Sequence, residues 1–175
     1  MTFGKLEKAF AAAVALQVLI LVLVPMQQIR SLVTGRTIEL AVEPVDPYSI
    51  MKGYFVTLSY SICRPDRFFA NSAHLHDGQT VYTVVEEGAD GLWVPVSLTT
   101  YPPNHLDQGR IFLKGRSKGW RGISYGIEEY SIPEARRDDV AQALRKHMDK
   151  ARVRVKVDGE GNAALESLII DGIVY

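Results

Sequence analysis

ARVRVKVDGEGNAALESLIIDG, residues 151–172, alternates apolar and charged side chains with a period of two. That period belongs to a strand with one wet face and one buried face. Val153, Val155 and Val157 point to a core, and Arg152, Arg154 and Lys156 point to water. Residues 159–162 carry the glycines and asparagine of a turn, and 163–175 return. Asp171-Gly172 is a second tight-turn pair near the end. The segment therefore reads as an antiparallel meander.

Working outward, residues 133–150 predict the one soluble helix. Pro133 and Glu134 open it, and Val140, Ala143, Leu144, His147 and Met148 form a stripe at helical spacing. Glu134, Asp138 and Asp139 come early and Arg145, Lys146 and Lys150 late, the order that suits the helix dipole. Further upstream, strands are expected at 37–42, 53–60, 79–87, 92–100, 110–116 and 123–132. A hairpin turn falls at 88–91, and a long loop at 63–78. Pro95 demotes its strand to an edge or a bulge. Strands and helices do not alternate, so a doubly wound sheet is not expected. The expected fold is mainly β, of the α+β kind: a twisted antiparallel sheet or partly open β-barrel with one packed α-helix.

AFAAAVALQVLILVLVPM, residues 9–26, has no charge and only Gln17 as a strong polar interruption. At 1.5 Å per residue this run is roughly 27 Å long, close to the ~30 Å of a bilayer's hydrocarbon core. It is apolar all round, unlike a core helix, and no A-x-A cleavage pattern follows it. The expectation is an uncleaved single-pass transmembrane anchor at 9–30, after a short segment 1–8 and before a β domain at 31–175. The bilayer is then a partner through 9–26. Lys5 and Lys8 nearly balance Arg30 and Arg36 across the run, so the positive-inside rule scarcely orients it. A short leading segment usually stays in the cytoplasm, which places the anchor in the plasma (inner) membrane and the β domain outside the cytoplasm.

Lysine plus arginine and aspartate plus glutamate number 20 each. Without a basic excess or stripe, nucleic acid is not expected as a partner. The single cysteine, Cys63, excludes an internal disulfide, and without an implied histidine base it reads as an inert thiol. There is no phosphate loop and no dinucleotide fingerprint, so no cofactor is expected.

The remaining chemistry-bearing residues are scattered. His74 and His76, followed by Asp77, could share a metal with His105 and Asp107, but both pairs fall in loops, and no metal site is assigned. Alternation puts Glu128 and Glu129 on opposite faces, and Glu134 belongs to a helix N-terminus. Lys114, Gly115 and Arg116 read as a solvated strand end with the capacity to bind an anion. Most aromatics should fill the core. Trp93, Trp120 and Tyr101 are the candidates for a partner surface.

DPYSIMKGYFVTLSY, residues 46–60, also alternates. It resembles the signature of the GDYXXLXY family, a Gly-Asp-Tyr-x-x-Leu-x-Tyr motif. Gly53, Leu58 and Tyr60 match, Phe55 is close to the first tyrosine, and Tyr54 stands where the motif has aspartate. FLKGR (112–116), YGIEEYSIPE (125–134) and the meander at 153–172 are similar to later family segments, in the same order. The resemblance implies a small membrane-anchored protein with a mostly β outer domain, no agreed activity, and genes often near those of polytopic membrane proteins. It implies a structural role for the motif. A catalytic aspartate at the motif position would be missing from this chain.

The same stretch is similar, more distantly, to signal peptidase I. Pro47 and Gly53 are six residues apart where that family has five, Pro44 occupies the nucleophile's position, and Ser49 lies on the wrong side of Pro47. Lys114 would have to serve as its base. The expected function is a membrane-anchored accessory protein whose outer domain binds or stabilises a multi-spanning membrane protein. The alternatives are an anchored hydrolase and a small-ligand or metal-sensing envelope domain.

Overall fold

The computed structural model describes residues 4–43, 51–52, 55–69 and 75–175, with the side chains at 5–7, 24, 25, 27, 28, 51 and 52 outside that description. The meander forms as the alternation requires. Strand β10 (Ala151–Val157) pairs antiparallel with β11 (Ala163–Ile170), with one bulge beside Arg154 and Val155. On its other side β10 pairs with β1 (Arg36–Glu43), which sets Glu39 opposite Arg154. β12 (Ile173–Val174) and β4 (Ser59–Tyr60) complete a five-stranded sheet in the order β12-β11-β10-β1-β4.

A second sheet has the order β6-β5-β7-β8, from β5 (Thr80–Glu87), β6 (Trp93–Thr99), β7 (Ile111–Ser117) and β8 (Ile123–Ser124). Pro95 sits on its edge strand and at a bulge, where Val84 faces Ser97 but Val85 faces Pro95. Both positions spare the N–H that proline lacks. A third, small sheet joins β2 (Met51–Lys52), β3 (Phe55–Thr57) and β9 (Glu129–Ser131). The fold is mainly β with antiparallel sheets and some helices, and no sheet closes into a barrel. Ile38, Leu40, Val153 and Val155 from the first sheet meet Val81, Val85 and Leu113 from the second in one core.

Three sequence expectations change. The motif strand at 53–60 is not one strand. β3 belongs to the small sheet and β4 to the large one, and between them Leu58 donates its N–H to the Glu128 carbonyl at 2.7 Å. The alternation survives the break, since Val56, Leu58 and Tyr60 are buried and Phe55 is exposed. The strand at 123–132 also splits, into β8 and β9, because the Glu128 carboxylate turns back onto the N–H groups of Tyr125 and Gly126. The soluble helix, α2 (Arg137–His147), is shorter than 133–150. Glu134 lies instead in a single tight turn before it. The α2 stripe holds, with Val140 and Leu144 buried.

The N-terminal helix α1 runs Lys5–Thr34. Its last turn packs on the meander, where buried Ser31 donates to the Asp158 carboxylate at 3.0 Å. The chain then turns straight into β1 through Gly35. A Cβ there would lie 2.3 Å from the Ser31 carbonyl oxygen and 2.9 Å from the Val157 nitrogen, so only glycine fits. Along the rest of α1, Leu19, Ile20, Leu21, Val22 and Leu23 are all exposed. The transmembrane helix expected over 9–26 is not found among the described residues, where no helix is long and apolar enough to cross a membrane.

Candidate functional site

Strand β7 presents the second period-two pattern of the molecule. Leu113, Gly115 and Ser117 are buried, and Lys114, Arg116 and Lys118 are exposed. The three cations line a groove of about 710 Å³ with Thr80, Ser124, Tyr125, Asn162 and Ser31. The groove lies where β7 runs beside the meander's turn, and the Lys114 N–H donates to the Gly161 carbonyl at 2.7 Å. This approach demands glycine at 161. Its φ is +81°, and a Cβ would lie 2.5 Å from the Phe112 ring.

No carboxylate among the described residues lines the groove. Among the described residues, none of the three cations has an ion-pair partner. Two carboxylates lie behind its wall, each already engaged. Glu128 accepts from Ser124 Oγ at 3.0 Å and from backbone N–H groups. Asp158 accepts from Ser31 Oγ, from the Glu160 N–H and from both the backbone and side chain of Asn162. Burial pushes the Asp158 carboxyl up, but the hydrogen bonds from Asn162, Glu160 and Ser31 together hold it below its ordinary range. Outside the wall, Arg30 pairs with Glu160 at 3.1 Å on the exposed end of α1.

The buried titratable groups behind the groove are structural. Tyr125 Oη is hydrogen-bonded to Thr83 Oγ1 at 2.6 Å and donates to the Ile62 carbonyl, while Tyr60 Oη donates to the Ile127 carbonyl at 2.6 Å. Burial, with the Glu128 charge adding to it, pushes the Cys63 thiol up to about 12. A reactive thiolate needs the opposite setting.

The structure disperses most of the residues singled out from the sequence. Gly53, Tyr54, Ser49 and His74 lie outside the described residues, and with them the nucleophile and the first metal ligand that the hydrolase and metal-sensing readings require. Phe55, Leu58 and Tyr60 are placed, Phe55 exposed and the other two in the core. His76 and His105 are exposed, and Asp107 is engaged by Arg110. Among the described residues no three histidine, cysteine or acidic side chains are grouped to hold a metal. Glu129 and Glu134 are exposed and separate from Glu128. Trp93, expected as a candidate for a partner surface, is instead a core residue, 4 % exposed, with the Arg36 guanidinium 4.9 Å above its ring. Its indole fills the inner face of β6, which the alternation of that strand allows. Tyr101 and Trp120 are exposed, Trp120 at 92 %.

Sequence reasoning found Lys114 and Arg116 but missed Lys118 and Ser31. Continuing the period of two past the strand end would have added Lys118. Nothing local signals Ser31, whose partner Asp158 lies 127 residues away.

An open, mainly antiparallel β domain led by a long helix, with a basic groove beside the helix end, is the class of protein these features define. Neither the curated proteins nor the solved structures offer a match. The chain belongs to the GDYXXLXY family: the family profile, described as GDYXXLXY protein, matches residues 17–168.

Proposed function

We propose that this chain is a membrane-anchored accessory module with no reaction of its own, and that its β domain binds or stabilises a multi-spanning membrane protein. α1 is the anchor, in the plasma membrane, and the domain lies on the extracytoplasmic side. One observation carries the reading. The five consecutive exposed residues Leu19 to Leu23 step ~100° each around the helix and so cover its whole circumference. A helix in water keeps one polar face, and an apolar surface on all sides calls for lipid or protein cover. The exposed Tyr101 and Trp120 are of the residue types that anchor interfaces.

The test is to crosslink cells, isolate the full-length chain in mild detergent and identify what accompanies it. A stoichiometric multi-spanning membrane protein is the expected result. Repeated recovery of the folded chain alone would overturn the partner reading. Release from membranes by alkaline carbonate would overturn the anchor.

A further inference from the structure

Among the described residues Lys114, Arg116 and Lys118 have no ion-pair partner, unlike Arg152, Arg154 and Lys156 of β10. Successive outward residues on a strand lie about 6.6 Å apart. Lys114 and Arg116 are so spaced on β7, Lys118 follows just past the strand end, and all three line the groove. Like charges held so close raise the local potential and draw an anion. The groove's 710 Å³ falls within the ~300–1,000 Å³ usual for small-ligand sites. The Thr80 residue adds a hydroxyl to the lining. The guanidinium of Arg116 supplies a planar fork suited to the paired oxygens of a phosphate.

The groove's place along α1 narrows the ligand. Ser31, in its lining, is five residues beyond Met26, the end of the apolar run. That is about 7.5 Å along a helix. The headgroup layer on each side of the hydrocarbon is roughly 5–8 Å deep. The groove therefore opens at the depth of lipid phosphates, a step that rests on the anchor reading above. Trp120, two residues past Lys118, is 92 % exposed, and the Arg121 guanidinium lies 5.6 Å from its ring. An exposed indole beside cations is suited to the same layer.

We propose that the groove bounded by Lys114, Arg116 and Lys118, beside the last turn of α1, binds a phosphate group, carried by an anionic phospholipid headgroup or by a soluble phosphate compound. Both sources present the same anionic oxygens to the same three cations.

The test uses the full-length chain in mild detergent, with phosphatidylglycerol, phosphatidylcholine and inorganic phosphate as separate probes at matched ionic strength. Bound lipid is read by native mass spectrometry, and binding of each probe by the shift in thermal unfolding. Preferential retention of phosphatidylglycerol over phosphatidylcholine assigns the lipid source. A shift with inorganic phosphate and no lipid preference assigns the soluble source. In either case the Lys114→Gln/Arg116→Gln/Lys118→Gln variant should lose binding on the order of 100-fold, about five-fold per cation. The single Arg116→Gln variant should lose about five-fold and guards against misfolding of the triple variant.

The proposal is overturned if no probe binds more tightly than chloride. It is also overturned if a folded variant binds as well as the wild type. Carbonate extraction in parallel separates the two readings. A chain that stays in membranes but binds no phosphate disproves the site alone. A chain that binds phosphate but leaves the membrane disproves the anchor alone.

Discussion

Strands β7 and β10 are built on one pattern and end in different states. Both set apolar or small side chains inward and cations outward, three on β10 and two on β7, with Lys118 just past the end of β7. On β10 the outer charges are answered from the neighbouring strands. Arg154 and Arg152 reach Glu39 of β1 at 3.0 and 3.6 Å, and Lys156 reaches Glu166 of β11 at 3.8 Å. On β7 the neighbours across the ladders are Thr80 and Tyr82 of β5, opposite Arg116 and Lys114, and Ser124 of β8, opposite Arg116, and among the described residues no carboxylate pairs with these cations. A period of two says which side chains are wet. It does not say whether they are neutralised, because the answer lies on the strands that pair with them. The charges of β10 pair across the sheet face, and among the described residues those of β7 do not.

The comparison can be tested from its strongest contrast to its faintest. Inward, the two strands should behave alike. Leu113→Ala on β7 is expected to cost about 2–5 kcal/mol in denaturant unfolding, since it opens a cavity in the shared core. Where the strands meet, Gly161→Ala should cost about 1–3 kcal/mol by overpacking against Phe112 and by its positive φ, read by thermal unfolding.

Behind the groove, Asp158→Asn should cost about 1–3 kcal/mol near neutral pH, because a charged acceptor of several hydrogen bonds is lost. Its pH dependence has a fixed sign. The native carboxyl is held down, so the unfolded chain, titrating near pH ~3.9, takes up the proton first. The stabilisation is complete above that value and is lost as pH falls through the lower native one. Melting temperatures should therefore decline more steeply on acidification for the wild type than for Asp158→Asn.

Outward, the strands should part. Glu39→Gln removes the partner of two half-exposed arginines and should cost under about 1 kcal/mol, with part of the effect abolished by salt. Arg116→Gln should change stability by no more than about 0.5 kcal/mol, since among the described residues it has no ion-pair partner to leave behind. A large loss there would mean that β7 is as neutralised as β10.

Much of this architecture was legible in the chain. The alternation at 151–157, the bulge-prone Pro95 and the stripe through Val140 and Leu144 all report local periodicity that tertiary packing preserves. The failures meet at Glu128. The strand expected at 53–60 breaks where Leu58 bonds the Glu128 carbonyl, 70 residues away, and the strand at 123–132 breaks where the Glu128 carboxylate turns back onto Tyr125 and Gly126. Trp93 was assigned by residue type, but its face was set by the strand's register. The groove was half legible. Its cations follow from alternation, but its far wall at Asn162 and Ser31 is brought in by the meander's turn and the helix end.

The bond from Ser31 to Asp158, with Gly35 tight against β10, makes α1 a lever. At 1.5 Å per residue the helix from Ser31 back to Lys5 extends about 39 Å from a fulcrum on the meander's turn. A tilt of about 10° would displace the far end by roughly 7 Å. That turn also carries Gly161 and Asn162, and Ser31 and Asn162 both line the basic groove, so the helix end and the groove rest on one support.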